Sequence, residues 1–170
     1  MTVLDNLAAV ATPASDEPVA PAYRAWMAGH TDALEAFLTH DAVCVAMLDD
    51  PWSVSGLRAA ITMARSRIPD HCAVLAPENR ALIDRLGRYV GEVFVRCFDG
   101  YWCNVLETAP PGVEVWPMIR CRGYLAGISP RCVVEIALVE GRPGGPAATA
   151  SGIVPELFAS VKAKHQAWAS

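Results

Sequence analysis

The stretch from Ala76 to Phe98 constrains the fold more than any other part of the chain. Leu82, Ile83, Leu86, Tyr89, Val90, Val93, Phe94 and Cys97 recur at helical spacing, and Pro77 suits a first helical turn. That spacing predicts a long amphipathic helix with one continuous apolar face. Arg80, Asp84, Arg88, Glu92 and Arg96 follow at four-residue steps with alternating sign. Such a ladder describes an exposed helix face, each pair contributing about 0.3–0.5 kcal/mol. Gly87 and Gly91 sit one turn apart inside the same helix. Each costs about 1 kcal/mol relative to Ala, and close approach of another backbone would account for both.

The rest of the chain arranges itself around that helix. With 170 residues, 53% of them hydrophobic and 19% charged, it suits one folded domain. Residues 2–10 fit a short helix, and Pro13, Pro18 and Pro21 among small and acidic residues then mark an arm or linker over 1–22. Residues 23–170 form the single domain. Tyr23–Gly29 reads as a turn or two of helix, and Thr31 and Asp32 can cap the next, whose Leu34, Phe37 and Leu38 share a face. Ala42–Leu48 fits a continued helix or a buried strand, and periodicity does not decide between them. Ser53 or Ser55 caps a helix running to Ile68, with Leu57, Ala60, Ile61, Ala64 and Ile68 on one stripe before Pro69-Asp70 stops it.

After Asp99-Gly100 the period changes to two. Tyr101–Glu107 reads as a strand, Val113–Arg122 as a second with Pro117 inside it, and Arg131–Val139 as a third, with Gly123–Ser129 as a connection. Ile153–Trp168 forms a closing helix. The expected class is α+β: N-terminal helices, an antiparallel meander of three or more strands, and a C-terminal helix.

Charge and cysteine usage exclude several function classes. The net charge is −4 and the pI about 5.5, which argues against a nucleic-acid partner. Residues 1–50 hold eight acids against Arg24 alone, whereas 51–170 hold thirteen bases against ten acids, so the front half is suited to dock on the back half or on a partner. No stretch approaches the ~18 apolar residues of a membrane span, and no basic residue precedes Arg24, so the expectation is a cytoplasmic protein without membrane contact. The six Cys are then reduced thiols. None forms C-x-x-C and no His pair has zinc-like spacing, so neither a metal nor a cofactor is expected.

Catalytic constellations are sparse. Glu92 has no carboxylate or His at a readable spacing to make it a general acid or base. His30, His40, His71 and His165 are available to activate a Cys, but spacing selects none of them. Gly141-Arg142-Pro143-Gly144-Gly145 lacks the Lys-Ser/Thr ending of a phosphate loop. The balance leans away from an enzyme.

Three pieces of the middle of the chain resemble small actinobacterial-type domains of unknown function. They are Leu48-Asp49-Asp50-Pro51-Trp52-Ser53 leading to Leu57, Arg88-Tyr89-Val90-Gly91-Glu92-Val93, and Phe98-Asp99-Gly100-Tyr101-Trp102. Asp99 and Tyr101 replace the more usual small or polar residues. The resemblance covers about residues 48–140. It implies a bacterial chain with helices followed by a strand meander and a last helix, and no assigned catalytic residues. Some domains of this build look like immunity or accessory proteins that act by binding.

Strand parity supplies a candidate contact surface. On the second strand Val113, Val115, Ile119 and Cys121 fall on one face, and Trp116, Met118, Arg120 and Arg122 on the other. Burying the first set leaves the second set, with Arg131, on the outside. Trp and Arg are the residue types enriched at binding hot spots. The leading expectation is therefore a non-catalytic, protein-binding surface of Trp116, Met118, Arg120 and Arg122, with Trp102 or Trp52 nearby. The alternative is an enzyme or small-anionic-ligand binder with a pocket between the sheet and the acidic front half.

Overall fold

The computed structural model describes residues 20–170. Most of the expected arm over 1–22, and the short helix expected at 2–10, lie outside the described residues. Helix α1 (Pro21–Ala28) begins with proline at its first position, where a missing N–H leaves no bond unmade. Gly29 separates it from α2 (His30–Ala36), so the caps expected from Thr31 and Asp32 are not used. The chain then makes one wide π turn over Phe37–Asp41 and a short α3 (Val43–Ala46), which resolves the ambiguity of 42–48 in favour of helix. Helix α4 (Val54–Arg67) is capped by Ser53, whose hydroxyl accepts from the Gly56 N–H at 3.3 Å. Asp70 caps a further short helix, α5 (His71–Leu75), that periodicity had not marked.

Helix α6 (Arg80–Cys97) follows a single 3-10 turn at Pro77–Asn79 and is the centre of the molecule. Every residue from Leu86 to Val95 is buried, and α2, α4, α5, α7 and β2 all pack on it. The sequence reading of an amphipathic helix with an exposed charged face is corrected here. Arg88 and Glu92, the middle rungs of the ladder, are buried. Each has partners of opposite charge within reach, as described below. Arg85, on another side of α6, holds Asp41 through two bonds of 2.5 and 3.0 Å and so ties the π turn to this helix.

Three strands follow: β1 (Tyr101–Asn104), β2 (Pro117–Cys121) and β3 (Tyr124–Ile128), antiparallel in the order β1-β2-β3. Trp102 pairs with Ile119, and Ile119 with Ile128, so these three point to the buried side that rests on α6. The expected second strand is half its predicted length. Pro117 opens it instead of interrupting it, and Trp116 bonds to Asn104 and Val105 just before it. The expected connection over 123–129 is the real third strand.

The expected third strand is a helix, α7 (Pro130–Val139). The overlooked signal is Ser129-Pro130. The Ser129 hydroxyl accepts from the Cys132 N–H, and Pro130 takes the first position. Val133, Val134, Ala137 and Leu138 then form a helical stripe buried against α6, which outweighs the strand propensity of the valines. Helix α8 (Ile153–Ala169) closes the chain as expected. In the loop between α7 and α8, Arg142 donates to the Ile68 and Arg65 carbonyls at the end of α4, and Arg65 donates back to the Glu140 carbonyl. The α+β class with a C-terminal helix is what the sequence led one to expect.

Candidate functional site

A cleft of about 400 Å³ runs along the first half of α6. Its floor is α6 itself, from Arg80 through Ile83 and Asp84 to Gly87 and Arg88. Its walls are Trp26 of α1, Val74 of α5, Trp102 and Pro117 of the sheet, and Pro130, Arg131 and Glu135 of α7. The volume lies in the range of small-molecule sites, and mixed apolar walls with a few charged groups are their usual lining.

The two helical glycines explain why the cleft is there. A Cβ at Gly91 would fall on the ring carbons of Trp102, so that position must be glycine for the indole to pack against α6 there. A Cβ at Gly87 would meet nothing closer than the Arg131 backbone nitrogen at 3.9 Å, an ordinary van der Waals distance. Helix packing therefore accounts for Gly91 but not for Gly87. At Gly91 the neighbour is an indole and not the expected backbone; at Gly87 the neighbour is the α7 backbone at Arg131, at ordinary contact distance beside the cleft.

Charges around the cleft are mostly committed. Arg88 donates to Asp84 at 2.8 Å and to the Trp26 carbonyl at 2.9 Å, and its guanidinium lies 3.8 Å over the Trp26 ring. Asp84 also accepts from the Trp26 indole N–H at 3.1 Å. Arg131 pairs with Glu135 at 2.9 Å. Arg80 has no hydrogen bond or ion pair with any described residue, and it is exposed at the outer end of the cleft. The first turns of α6 and α7 both border the cleft, so two positive helix ends add to the field of that arginine.

Beyond Trp102 the same face of α6 is closed and internally paired. Glu92, 1% exposed, accepts from Arg96 at 2.8 Å and lies 3.2 Å from His30 Nε2. Burial is the largest influence on its carboxyl and pushes the pKa up, but the bonds to His30 and Arg96 and the guanidinium charge together hold it below its ordinary value. Arg96 in turn lies 4.0 Å over Trp52. Two buried nitrogens have no hydrogen-bond partner among the described residues: Nδ1 of His30 and Nε1 of Trp102. Their rings meet edge to face at 5.3 Å.

The sequence-predicted surface does not assemble as expected. Met118 and Arg120 share the outer sheet face with Tyr101 and Cys103, but Met118 is buried there, and Arg120 donates to the Leu125 carbonyl. Trp116 is half-buried outside the strand, with Arg131 6.0 Å from its ring, and Arg122 is exposed beyond the other end. Trp102 is on the opposite face and only 2% exposed, which removes it from any outer contact surface and makes it a wall of the cleft. Trp52 is half-buried and packs on Tyr89 and Arg96. The residues that sequence reasoning missed are Trp26 and His30. Trp26 lay on the expected helix Tyr23–Gly29 and His30 in the break after it, and nothing in either position named the ladder of α6 as their partner.

Thiol chemistry finds no support in the buried Cys121 or the half-buried Cys97 and Cys103. Burial pushes Cys97 up to about 11 and Cys121 up to about 12, and raises Cys103 as well, so these thiols are protonated near neutrality. Among the described residues no group of three or more His, Cys, Asp or Glu side chains could hold a metal ion. No described helix is long and apolar enough to cross a membrane. No family model, curated protein or solved structure matches this chain.

Proposed function

We propose that the protein is a receptor for a small organic molecule held in the cleft over α6. The observation that carries this reading is Gly87, a helix-interior glycine that packing does not require and whose missing side chain leaves the floor of the cleft open. Keeping glycine there costs the helix about 1 kcal/mol relative to Ala. A site that needs the space accounts for that cost. The test is a thermal-shift screen of a small-molecule library against the wild type and Gly87→Leu, with circular dichroism to check the fold. Ligands should raise the melting temperature of the wild type and not that of the variant. Hits that stabilise both proteins equally, or no hits at all, would count against the cleft.

A second reading rests on a separate observation. Leu125 is 96% exposed, with Tyr101 and Arg120 also on the outer side of the sheet. An uncovered leucine beside an aromatic ring and a guanidinium supports a protein partner, in keeping with an accessory or immunity-type role. Native purification with associated proteins tests it. The partner should be stoichiometric with the wild type and lost with Leu125→Asp; its absence from the wild-type preparation argues against this role.

A further inference from the structure

We infer that the turn formed by α3 is a docking surface for a basic polypeptide segment that carries apolar side chains, independent of the cleft and of the sheet face around Leu125. The first support is exposure without a packing role. The π turn ends at Ala42, whose backbone (φ −131°, ψ 53°) leaves the helical range, and α3 sets off from there. Ala42 and Val45 are fully buried and hold this turn on the core. Its other side is apolar too: Val43 is 48% exposed, Met47 is 81% exposed, and Cys44 is exposed next to Val43 in the chain. Val43 and Met47 are four residues apart, so they share one side of the turn. An exposed methionine is an adaptable contact, and methionine is over-used at binding surfaces.

The second support is charge. From Ala25 to Leu57 the chain holds Asp32, Glu35, Asp41, Asp49 and Asp50 and no Lys or Arg. Asp41 is taken up by Arg85 and Arg67. The other four are exposed, and none makes an ion pair with a described residue. Asp49 and Asp50 follow Met47 by two and three residues, so acid borders the apolar side chains. That combination turns most occupants away. The carboxylates repel nucleic acid and an anionic lipid surface. A second copy docked face to face through the same turn would set acid against acid. Residues 1–19 hold Asp5, Asp16 and Glu17 and no Lys, Arg or His, so the start of this chain has the wrong sign. A basic segment with an apolar side is complementary on both counts: its cations meet the acids, and its apolar side chains cover Val43 and Met47.

Fluorescence anisotropy with labelled peptides at physiological ionic strength tests the surface. The probe is an amphipathic helical peptide of Leu and Lys; one companion replaces every Leu by Ser, the other every Lys by Glu. The Leu/Lys peptide should bind, and each companion should bind at least about tenfold more weakly. Met47→Ser, an exposed change, should weaken the Leu/Lys peptide by about tenfold. Asp49→Asn with Asp50→Asn should weaken it by about two- to fivefold, and Leu125→Ser should leave it unchanged. Bound peptide should slow alkylation of Cys44 by iodoacetamide and leave that of Cys72, exposed on α5, as it was. Equal binding of the Ser-substituted peptide would reduce the effect to bulk charge and overturn the proposal. Unaltered affinity in Met47→Ser, or equal protection of Cys44 and Cys72, would overturn it as well. Wild-type binding to phosphatidylserine vesicles, or self-association in sedimentation, that Met47→Ser abolishes would assign the turn to a membrane or to a second copy instead.

Discussion

Gly87 and Gly91 lie one turn apart on the same helix, yet they stand over opposite kinds of space. Around Gly91 the molecule is filled: an indole covers the glycine, and Glu92 beside it is bonded to His30 and Arg96. Around Gly87 the only atom within 4 Å of an added Cβ is the Arg131 backbone nitrogen of α7, and Arg80, at the start of the helix, has no described partner. One half of α6 spends its charges on itself. The other half keeps one in reserve. A glycine in a helix thus has two distinct meanings, and only the neighbours of the absent Cβ tell them apart.

The largest expected effect lies in the closed half. Glu92→Ala leaves Arg96 and His30 without their shared carboxylate in the interior and should cost about 3–5 kcal/mol in denaturant unfolding. Glu92→Gln sharpens the point through pH. The carboxyl of Glu92 is held below its ordinary value of 4.5 in the folded chain. Its contribution is therefore fully present above that value and is lost as pH falls through the lower, folded-state value. The stability gap between wild type and Glu92→Gln should be constant near neutrality and shrink in acid. A gap that grows in acid would contradict the pairing.

Next comes the contrast between the glycines. Gly91→Ala must displace the Trp102 ring and should cost about 1–3 kcal/mol, with a changed tryptophan fluorescence spectrum. Gly87→Ala makes only an ordinary van der Waals contact with the α7 backbone and should stabilise by about 0.5–1 kcal/mol through helix propensity. Opposite signs for the same substitution one turn apart would establish the comparison. Two losses of equal size would break it, because Gly87 would then be a packing glycine like its neighbour.

The order of elements was largely legible before the structure, because capping and periodicity are local. Ser53 announces α4, and Asp99-Gly100 announces the change of period. The misreading of α7 has a local cause too: the valines of Cys132–Leu138 fit either period, and Ser129-Pro130 was the only tie-breaker. The site was less legible. A ladder of alternating charge looks the same whether water or protein surrounds it. Only the arrival of Trp26, His30 and Trp52 from distant segments makes Arg88, Glu92 and Arg96 interior groups. Likewise, parity placed Ile119 and Cys121 inward correctly, but it could not foresee that β1 would turn Trp102 inward onto a glycine.

Arg142 reaches back to the last carbonyls of α4 from more than seventy residues downstream. A helix finished in this way is not an autonomous piece of the chain: its final turn is secured only once the segment after α7 has arrived. Slow amide exchange at the Arg67 and Ile68 end of α4 would then report opening of the entire domain and not local fraying, so that one helix terminus serves as a gauge of cooperativity for the whole molecule.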